Sequence, residues 1–448
     1  MKKIGKFKVC GFLGHGGMGK IYKIEYPVTG KIGALKLLSP NPFLTSLIGK
    51  ESIDEMFTAE AIKMAGIRHP HIVEILDFDK FNGHLYYIMN YYCNNLGIMT
   101  GESYETEKRS RAISIDKAIY YTRQILSGLS RLHFASIIHR DIKPYNILVT
   151  DEDNVRICDF GLSKLRGERF KGHKSLKLGS PYYAPPELET DPDNVDFSCD
   201  LYSVGIMLYR MVTGRLPIED DKKISNYNND LGDDWDDFIN KATNPQPYKR
   251  YVDANQMQLG LDELSKAWDD KKVQICSAPL RGSENNQYRP TRKTVRSIPV
   301  KVRKKYACNI FRTDDLMKPK HYTQNQFNKV SNDIVHDLKT GLYWQISGTR
   351  FPTTHPEAKK YIEKLNREKY EGFDNWRLPT VNELLTLVNE TPVGEGYCVE
   401  SIFDTSQKWF WSCDRCSYIT AWYISLELGY TSYNDLTGYY HVKAVRSA

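Results

Sequence analysis

The amino-acid sequence predicts an α+β protein with two or three domains. Its 448 residues are too many for one ordinary hydrophobic core, and a composition of 41% hydrophobic and 12% aromatic residues is typical of globular proteins. Short apolar runs alternate with stretches of helical periodicity over residues 1–272, which indicates mixed α and β structure. The composition then changes, because five of the seven tryptophans lie at or beyond Trp344. We therefore expect a separate C-terminal domain at residues 323–448.

No feature of the sequence predicts secretion or a membrane span. The first residues contain only a short apolar fragment before a glycine-rich loop, unlike a signal peptide, and nowhere do eighteen apolar residues run together. The nine cysteines are odd in number and scattered, which is typical of reduced thiols. We therefore expect a cytoplasmic protein whose halves share that compartment.

The positive charge of the chain is concentrated in one segment. The formal net charge is +7, and residues 273–322 alone carry twelve Lys or Arg against three acidic residues, so the remainder sums to −2. Because it also has four prolines and few apolar periods, this segment is predicted to be a basic linker. Two alternatives remain: binding of nucleic acid or an anionic surface, which the near absence of aromatic residues disfavours, and one or two strands that dock on a neighbouring domain.

The strongest functional pattern lies in residues 138–161. Two apolar runs, 147–149 and 155–158, flank a short acidic turn, which predicts a β-hairpin. A hairpin folds the residue before its first strand back beside the residue after its second, so Asn146 and Asp159 should lie close together. Their amide and carboxylate oxygens are hard ligands suited to Mg²⁺ that also carries nucleotide phosphates.

Two further polar residues complete this pattern. Asp141, five residues before Asn146, places a carboxylate where it can orient an incoming hydroxyl group, and Lys143 can neutralise charge that builds on a transferred phosphoryl group. The sequence HRDIKPYN followed by DFG resembles the catalytic and metal-binding loops of bacterial, eukaryotic-like (Hanks-type) protein kinases. Lys143 looks like the Ser/Thr-specific version of this loop rather than the tyrosine-specific one.

The resemblance implies a bilobal protein kinase fold over residues 1–272, with an N-lobe to about residue 92. It also implies ATP and Mg²⁺ as cofactors, with Mn²⁺ as an alternative ion, and a protein substrate with a Ser or Thr acceptor. Lys36 would bridge the α- and β-phosphates, and Glu60 would hold it. Glu51 and Glu55 lie on the same predicted helix as Glu60 and are alternative partners for Lys36.

The resemblance assigns further residues to the nucleotide. A G-x-G-x-x-G spacing at 14–19 lets backbone N–H groups approach phosphate oxygens, although an ordinary glycine-rich hairpin shows the same spacing. The apolar run 85–89 would end at the hinge beside adenine, with Met89 as gatekeeper. The nucleotide-binding candidates are Gly14, Gly16, Gly19, Ile21, Ala34, Lys36, Met89 and Tyr91.

Residues 159–187 resemble the activation segment of the family. Ser180, in the ending GSPYYAPPE, supplies the hydroxyl expected of a Ser/Thr kinase. Ser175 is a candidate for autophosphorylation with Arg140 as a clamp, and a solvated mobile loop is the alternative interpretation of this basic segment. The structural residues that the resemblance implies are Arg140, Glu187, which would pair with Arg250, and Asp200, which would brace the backbone around Arg140.

Residues 323–448 resemble a different bacterial family. The segments DLKTGLYWQ, NWRLPTVNELLTL, WFWSC, AWYISLELGY and VKAVRSA are similar to the Lcl-type C-terminal domain, whose fold is related to C-type lectins and formylglycine-generating enzymes. Two helices are predicted within residues 358–390, the second capped by Thr380 with Glu383 as its capping-box partner. The family name brings little chemistry, since most members have no assigned activity.

Ligand recognition is the role best supported for this C-terminal domain. Residues 412–440 contain thirteen Tyr, Ser, Gly or Asn residues out of twenty-nine, a mixture typical of adaptable binding surfaces. Diversification by a retroelement is a further hypothesis, and an ordinary tyrosine-rich β surface is the alternative. Cys413 and Cys416 form a single CxxC, which we interpret as two loop thiols rather than a zinc or redox site. The ligand-binding candidates are Tyr418, Tyr423, Tyr430, Tyr433, Asn434 and Tyr439.

The sequence therefore predicts a soluble bacterial Ser/Thr kinase with a C-terminal domain that senses an unknown protein or small-molecule ligand, or selects the substrate. The alternative is a binding or scaffold protein whose kinase fold is a pseudokinase module, with the lectin-like domain carrying the function. The filled catalytic positions favour the enzyme.

Overall fold

The computed structural model describes residues 3–15, 19–42, 45–46, 49–103, 108–160, 164–165, 182–217, 223–276, 293–393 and 397–447. The chain divides into two compact units, Met1–Pro279 and Leu280–Ala448. Within the described ranges, no helix is both long enough and apolar enough to span a bilayer.

The first unit begins with a six-stranded antiparallel sheet, in the order β1-β2-β3-β4-β6-β5. The strands are β1 (Lys3–Ile4), β2 (Phe7–His15), β3 (Gly19–Glu25), β4 (Ile32–Leu38), β5 (Ile75–Phe81) and β6 (His84–Asn90). One cluster of its buried residues contains Phe7, Ile24 and Leu35. Helix α1 (Lys50–Ala65) packs on β5 and β6, where the ring of Phe57 stacks on Tyr87 at a centroid distance of 5.2 Å.

The rest of the first unit is mainly helical. Its helices are α2 (Leu96–Thr100), α3 (Ile115–Phe134), α4 (Pro186–Thr190), α5 (Ser198–Thr213), α6 (Asp233–Ala242) and α7 (Ala254–Cys276). Helix α3 begins after Ser114, whose side chain accepts a hydrogen bond from the backbone N–H of Lys117. Its apolar stripe, including Ile125 and Leu129, is buried where α3 packs against α5 and α7.

Short strands beside these helices form the predicted hairpin. Strands β9 (Ile147–Val149) and β10 (Val155–Ile157) pair antiparallel, with Ile147 opposite Ile157. Strand β7 (Asn94–Asn95) pairs with β9 on its other side, and β8 (Ile137–Ile138) pairs with β11 (Lys164–Leu165). The residues before β9 and after β10 are therefore brought to the same end of the hairpin.

In its described residues, the second unit contains two antiparallel sheets and three α-helices. One sheet has the order β12-β13-β14-β18 and the other the order β15-β16-β17. The capping box of Thr380 and Glu383 is confirmed, although the helix it caps has four residues and continues as a 3₁₀ turn at Leu385–Leu387. The elements are α8 (Lys304–Phe311), β12 (Phe327–Lys329), β13 (Ile334–Asp337), β14 (Leu342–Gln345), α9 (His355–Arg367), α10 (Val381–Leu384), β15 (Trp409–Arg415), β16 (Thr420–Ser425), β17 (Tyr430–Asp435) and β18 (Val445–Ser447).

The prediction that residues 273–322 form a linker is wrong for the part at 293–322, which packs into the second unit. Val302, Ala307 and Phe311 are each no more than 2% exposed and belong to its core. The indole N–H of Trp422 donates to the carbonyl of Val302 at 2.9 Å. A few apolar side chains thus anchor this segment in the core of the second unit. The sequence did not indicate this, because cations are far more numerous than apolar residues in the segment.

A buried carboxylate ties the same segment to the sheet. Asp414 is fully buried, accepts two hydrogen bonds from the guanidinium of Arg296 at 2.9 and 2.6 Å, and accepts the backbone N–H groups of Val300 and Val381 at 2.8 Å. The backbone N–H of Val302 also donates to the carbonyl of Arg415 at 2.8 Å. Pairing with Asp414 satisfies one cation of the basic segment inside the fold.

Candidate active site

The hairpin positions the two predicted metal ligands together. The backbone N–H of Cys158 donates to the carbonyl of Asn146 at 2.9 Å, so Asp159 follows directly beside Asn146. Both side chains line one cavity of about 240 Å³ in the first unit. The proximity that the sequence predicted for this pair is therefore present.

Lys36 lies at the centre of this cavity between two carboxylates. Its ammonium group is 2.7 Å from Oε1 of Glu60 and 2.9 Å from Oδ1 of Asp159. Of the three acids considered in the sequence, Glu60 is thus the one that contacts Lys36, and it also accepts a hydrogen bond from the hydroxyl of Tyr87 at 2.8 Å. Glu51 on the same helix is exposed.

The charges of this cluster stabilise one another. Burial alone would lower the pKa of Lys36, but the carboxylates of Asp159 and Glu60 outweigh it and hold that pKa well above its ordinary value. The positive charge of Lys36 is the main cause that lowers the pKa of Asp159 to about 2. Lys36 is therefore a cation and Asp159 an anion throughout the neutral pH range.

Asp141 is held by its two predicted neighbours. The ammonium group of Lys143 lies 2.7 Å from Oδ2 of Asp141, and the amide nitrogen of Asn146 donates to the same oxygen at 3.0 Å and to the Asp141 carbonyl at 2.8 Å. Because the amide nitrogen of Asn146 faces Asp141, its amide oxygen is directed elsewhere. Asp141, Lys143 and Asn146 thus form one hydrogen-bonded group.

Asp200 holds the backbone directly before Asp141 through hydrogen bonds. Its carboxylate accepts the backbone N–H groups of His139 at 2.9 Å and Arg140 at 2.8 Å, and the ring of His133 at 2.9 Å. Burial would raise the pKa of Asp200, but the hydrogen bonds and charges of His133 and His139 lower it. Arg140 adopts a positive φ of 64°, which residues other than glycine seldom do. The hydrogen bond from its backbone N–H to Asp200 supports this conformation.

The other predicted residues of this unit fall into two groups. Glu187 and Arg250 form the expected pair, with nitrogen–oxygen distances of 2.5 and 2.8 Å. Gly16, Ser175 and Ser180 lie outside the described residues.

The candidate nucleotide residues surround the same cavity. Ile21, Ala34, Met89 and Tyr91 line it together with Lys36. Gly19 begins β3 next to the glycine-rich loop, and a Cβ there would lie 2.5 Å from the carbonyl oxygen of Leu37, so only glycine fits. The sequence did not assign several other lining residues: Leu13, Asn95, Ile98, Tyr145, Leu148 and Cys158.

Comparison with known proteins decides the family. Residues 7–266 match the family model of the protein kinase domain. The chain belongs to the protein kinase family. We therefore refer to the first unit as the kinase unit.

The kinase unit resembles bacterial enzymes described as Ser/Thr protein kinases. The probable serine/threonine-protein kinase CPE1738 of Clostridium perfringens is 29% identical over 287 residues, which are 61% of this chain and 40% of that protein. PknB of Lactococcus lactis and PrkC of Bacillus subtilis are each 28% identical, over 60% of this chain and 44% and 41% of their own lengths. The chain thus spans less than half the length of these three relatives.

Two further similarities were found. The crystal structure of the PknI kinase domain of Mycobacterium tuberculosis is 22% identical and gives a TM-score of 0.44, covering 60% of this chain and 97% of that one. Residues 333–446 match the family model of the Lcl C-terminal domain.

A buried ion pair of the kinase unit was not predicted from the sequence. Glu102 follows α2, and both its carboxylate oxygens lie 3.0 Å from the guanidinium of Arg210 on α5. The hydroxyl of Tyr183, shortly before α4, donates to Glu102 at 2.6 Å. Glu102 lies 108 positions from Arg210 and 81 positions from Tyr183 in the sequence. No local sequence pattern therefore indicates these contacts.

Half of the six ligand-binding candidates of the second unit are buried. Tyr423 and Tyr430 are fully buried, and the prediction that they bind a ligand is wrong. Tyr433 packs partly against the core, and the buried Asn434 donates to the hydroxyl of Tyr440 at 2.7 Å. The aromatic rings stack inside the fold, so the tyrosine-rich composition partly reflects core packing.

Two candidates remain exposed. Tyr418 and Tyr439 are 85% and 46% exposed, and the ammonium group of Lys301 lies 3.3 Å from the ring centroid of Tyr418. Cys413 and Cys416 are free thiols whose pKa values are raised by burial. In the part of the chain that is described, no group of three or more His, Cys, Asp or Glu side chains could hold a metal ion.

Proposed function

We propose that this protein transfers the γ-phosphoryl group of ATP to a serine or threonine hydroxyl of a protein substrate. One observation carries the proposal: Lys36 bridges Glu60 and Asp159 in the cavity where Asn146, hydrogen-bonded to Asp141, also lies. The groups suited to binding phosphate, binding metal and orienting the acceptor thus lie in two hydrogen-bonded clusters beside one cavity.

The side chains present fit a magnesium nucleotide. Asp159 is ionised because its pKa is about 2, and Asn146 offers an amide oxygen, so both supply the hard oxygen ligands that Mg²⁺ or Mn²⁺ accepts. When bound, the nucleotide would supply the phosphoryl group, and the metal ion would neutralise part of the charge of that group. Lys36 would bind the α- and β-phosphates, and Ala34, Met89 and Leu148 would enclose the adenine ring.

The remaining residues act on the acceptor and the developing charge. Asp141 would orient the substrate hydroxyl and accept its proton, and Lys143, 2.7 Å from that carboxylate, would stabilise negative charge on the transferred group. Asp200 would keep the backbone of His139 and Arg140 in place beneath them. Catalysis then depends mainly on positioning and charge stabilisation.

Transfer of radiolabel from ATP tests the proposal. Wild-type protein with Mg²⁺ should label itself or a general protein substrate, and Asp141→Asn should lower labelling on the order of a thousandfold because the hydroxyl loses its orienting base. Asp270→Asn serves as the control, because Asp270 is an exposed carboxylate at the end of the kinase unit. Equal labelling by wild type and Asp141→Asn would exclude the mechanism and leave a nucleotide-dependent scaffold.

We also propose that Ser175 is autophosphorylated, with Arg140 as an additional clamp, and that Ser180 supplies the hydroxyl expected of a Ser/Thr kinase. Six Lys or Arg residues surround Ser175 between residues 164 and 177, with Glu168 as the opposing acid. Phosphopeptide mapping of active protein should find phosphate on Ser175. An active enzyme with an unmodified Ser175 would remove this part of the proposal.

The C-terminal unit is proposed to recognise a ligand or the substrate in the cytoplasm, with a fold related to C-type lectins. Its match to the Lcl C-terminal domain and the exposed Tyr418 and Tyr439 support a binding role. A pull-down with the full chain, repeated with Tyr418→Ala and Tyr439→Ala, should lose a bound protein in one variant. Retroelement diversification predicts a near-copy of the coding sequence beside a reverse transcriptase gene, and a gene with no such copy would contradict it.

A further inference from the structure

The second unit contains a cavity of about 380 Å³ that involves none of the kinase machinery. Its walls come from the chain at 293–296, the end of α8, the chain at 319–323 and the segment 382–386. The volume is in the range of cavities that bind small ligands or single side chains of a partner. Much of this wall belongs to the segment that the sequence predicted to be a linker.

The cavity is lined by positively charged side chains. Lys293, Arg296 and Arg312 all contribute to its wall. Lys293 is half-buried, and its ammonium group donates to the hydroxyl of Thr323 at 2.7 Å. Burial, and then the positive charges of Arg312 and Lys339, lower the pKa of Lys293. The nearby charges that act on Lys293 are thus of its own sign.

Of the three cations in the wall, only Arg296 has a carboxylate partner among the described residues. Asp414 neutralises Arg296 through two hydrogen bonds, and Oδ1 of Asp314 accepts the backbone N–H of Lys318 at 2.8 Å. None of the described residues that line the cavity is acidic. Among the described residues, Lys293 and the exposed Arg312 therefore leave positive charge that no acidic residue of the cavity wall compensates.

We propose that this cavity binds a phosphorylated serine or threonine side chain of a peptide. Lys293 and Arg312 form charge-assisted hydrogen bonds with the phosphate oxygens, and Thr323 holds the ammonium group of Lys293 in position. The exposed Ile310 gives an apolar contact for the residue beside the phosphate.

A phosphate ester suits this site better than a carboxylate. It carries a charge of about −2 and three acceptor oxygens, so it can satisfy both uncompensated cations at once. The choice of phosphoserine or phosphothreonine as its carrier rests on the proposed function, because a Ser/Thr kinase on the same chain produces such residues. Binding of the phosphopeptide requires no phosphotransfer. A negative binding result would therefore leave the proposed kinase activity untouched, and absence of kinase activity would leave the binding site untouched.

Fluorescence anisotropy with the full chain, in the absence of nucleotide, tests the site. The probes are a fluorescein-labelled Gly-Ala-phosphoserine-Ala-Gly peptide, the same peptide with unmodified serine, and inorganic phosphate as competitor. The phosphopeptide should bind at least tenfold more tightly than either of the others. Lys293→Gln and Arg312→Gln should each weaken it about tenfold, since each removes one charge-assisted hydrogen bond.

Two variants serve as matched controls. Lys320→Gln removes an exposed cation of the same segment that does not line the cavity, and it should change the affinity less than twofold. Asp141→Asn should leave the affinity unchanged, which separates this site from the active site. If Lys293→Gln lowers the melting temperature, Arg312→Gln decides the question, because Arg312 is exposed.

Three results would overturn the proposal. Equal binding of the unmodified peptide would show that the phosphate is not recognised. Inorganic phosphate that binds as tightly as the phosphopeptide would identify a site for a small anion. Loss of affinity in Lys320→Gln as large as in Arg312→Gln would indicate unspecific attraction to the basic segment.

Discussion

Lys443 shows how much a single buried charge depends on its surroundings. It is fully buried between the rings of Phe403 and Phe410 and donates to the carbonyls of Gln345 at 3.2 Å and Ile346 at 2.5 Å. Burial, only partly offset by Asp404, lowers the pKa of Lys443 to about 7. A neutral amine has two N–H donors, which these two carbonyls satisfy.

The lowered pKa of Lys443 predicts a pH-dependent stability of the second unit. Between pH 7 and 10.5 the unfolded chain binds more protons at this site than the folded chain, so the free energy of unfolding rises as pH rises through that window. Relative to Lys443→Met, the wild type should gain up to roughly 1.4 kcal/mol per pH unit. Urea unfolding at pH 7, 8.5 and 10, followed by tryptophan fluorescence, measures the gain, and a flat difference would contradict the assignment. The exposed Lys364→Met should show no such trend.

Glu60 provides a second prediction at the residue scale. The Glu60→Gln change keeps the shape of the side chain but removes the charge that positions Lys36, 2.7 Å away. We expect kcat/KM for phosphorylation to fall on the order of a hundredfold, because misplacement of Lys36 disturbs the phosphates. Glu51→Gln, on the exposed first turn of the same helix, should stay within twofold. Similar losses in both variants would mean that overall helix charge matters rather than this contact.

Residue-scale predictions from the sequence succeeded where the spacing along the chain determined the contact. Asn146 and Asp159 are joined by a short hairpin, so their proximity followed from local pattern. Tyr423 and Tyr430 lie on adjacent strands, and composition alone could not indicate that both face the core. Which face of a strand is buried depends on the packing of other elements, and that information is not local.

At the scale of secondary-structure elements, the ion pair of Glu102 and Arg210 joins three parts of the kinase unit. It connects the end of α2 to α5, and the hydroxyl of Tyr183 adds the chain shortly before α4. Both charged side chains are at most 1% exposed. The sequence places these residues far apart, so the contact could be found only from the folded chain.

Removal of one partner of this pair should destabilise the kinase unit strongly. Arg210→Met leaves the carboxylate of Glu102 buried without its cation, and we expect a loss of about 3–5 kcal/mol in the free energy of unfolding. The double change Glu102→Gln with Arg210→Met should recover part of that loss. Arg123→Met is the matched control, because its pair with Asp262 is 40–45% exposed and contributes less than about 1 kcal/mol. Chemical denaturation measures the free energy of unfolding of the wild type and the three variants. Equal losses in Arg210→Met and Arg123→Met would show that burial does not determine how much an ion pair contributes to stability.

At the scale of the whole molecule, the chain consists of two units whose cores are built separately. The protein kinase family of the first unit could be predicted, because its motifs are local and ordered along the chain. The beginning of the second unit could not, since residues 293–322 combine a high density of cations with few apolar residues. Val302 and Phe311 acquire their importance only from contacts with strands more than 100 residues later.

The boundary of the second unit yields the last prediction. A fragment of residues 293–448 should fold, whereas a fragment of residues 323–448, which the sequence alone would suggest, should be largely unfolded. The shorter fragment loses Val302, Ala307 and Phe311 from its core and leaves the carboxylate of Asp414 buried without Arg296. Loss of three buried apolar side chains costs several kcal/mol, and an unpaired buried carboxylate adds to it, which together approach the whole stability of a small domain. Circular dichroism and thermal unfolding of both fragments measure the difference, and cooperative unfolding of the shorter one at the same temperature would show that residues 293–322 are an accessory to this core.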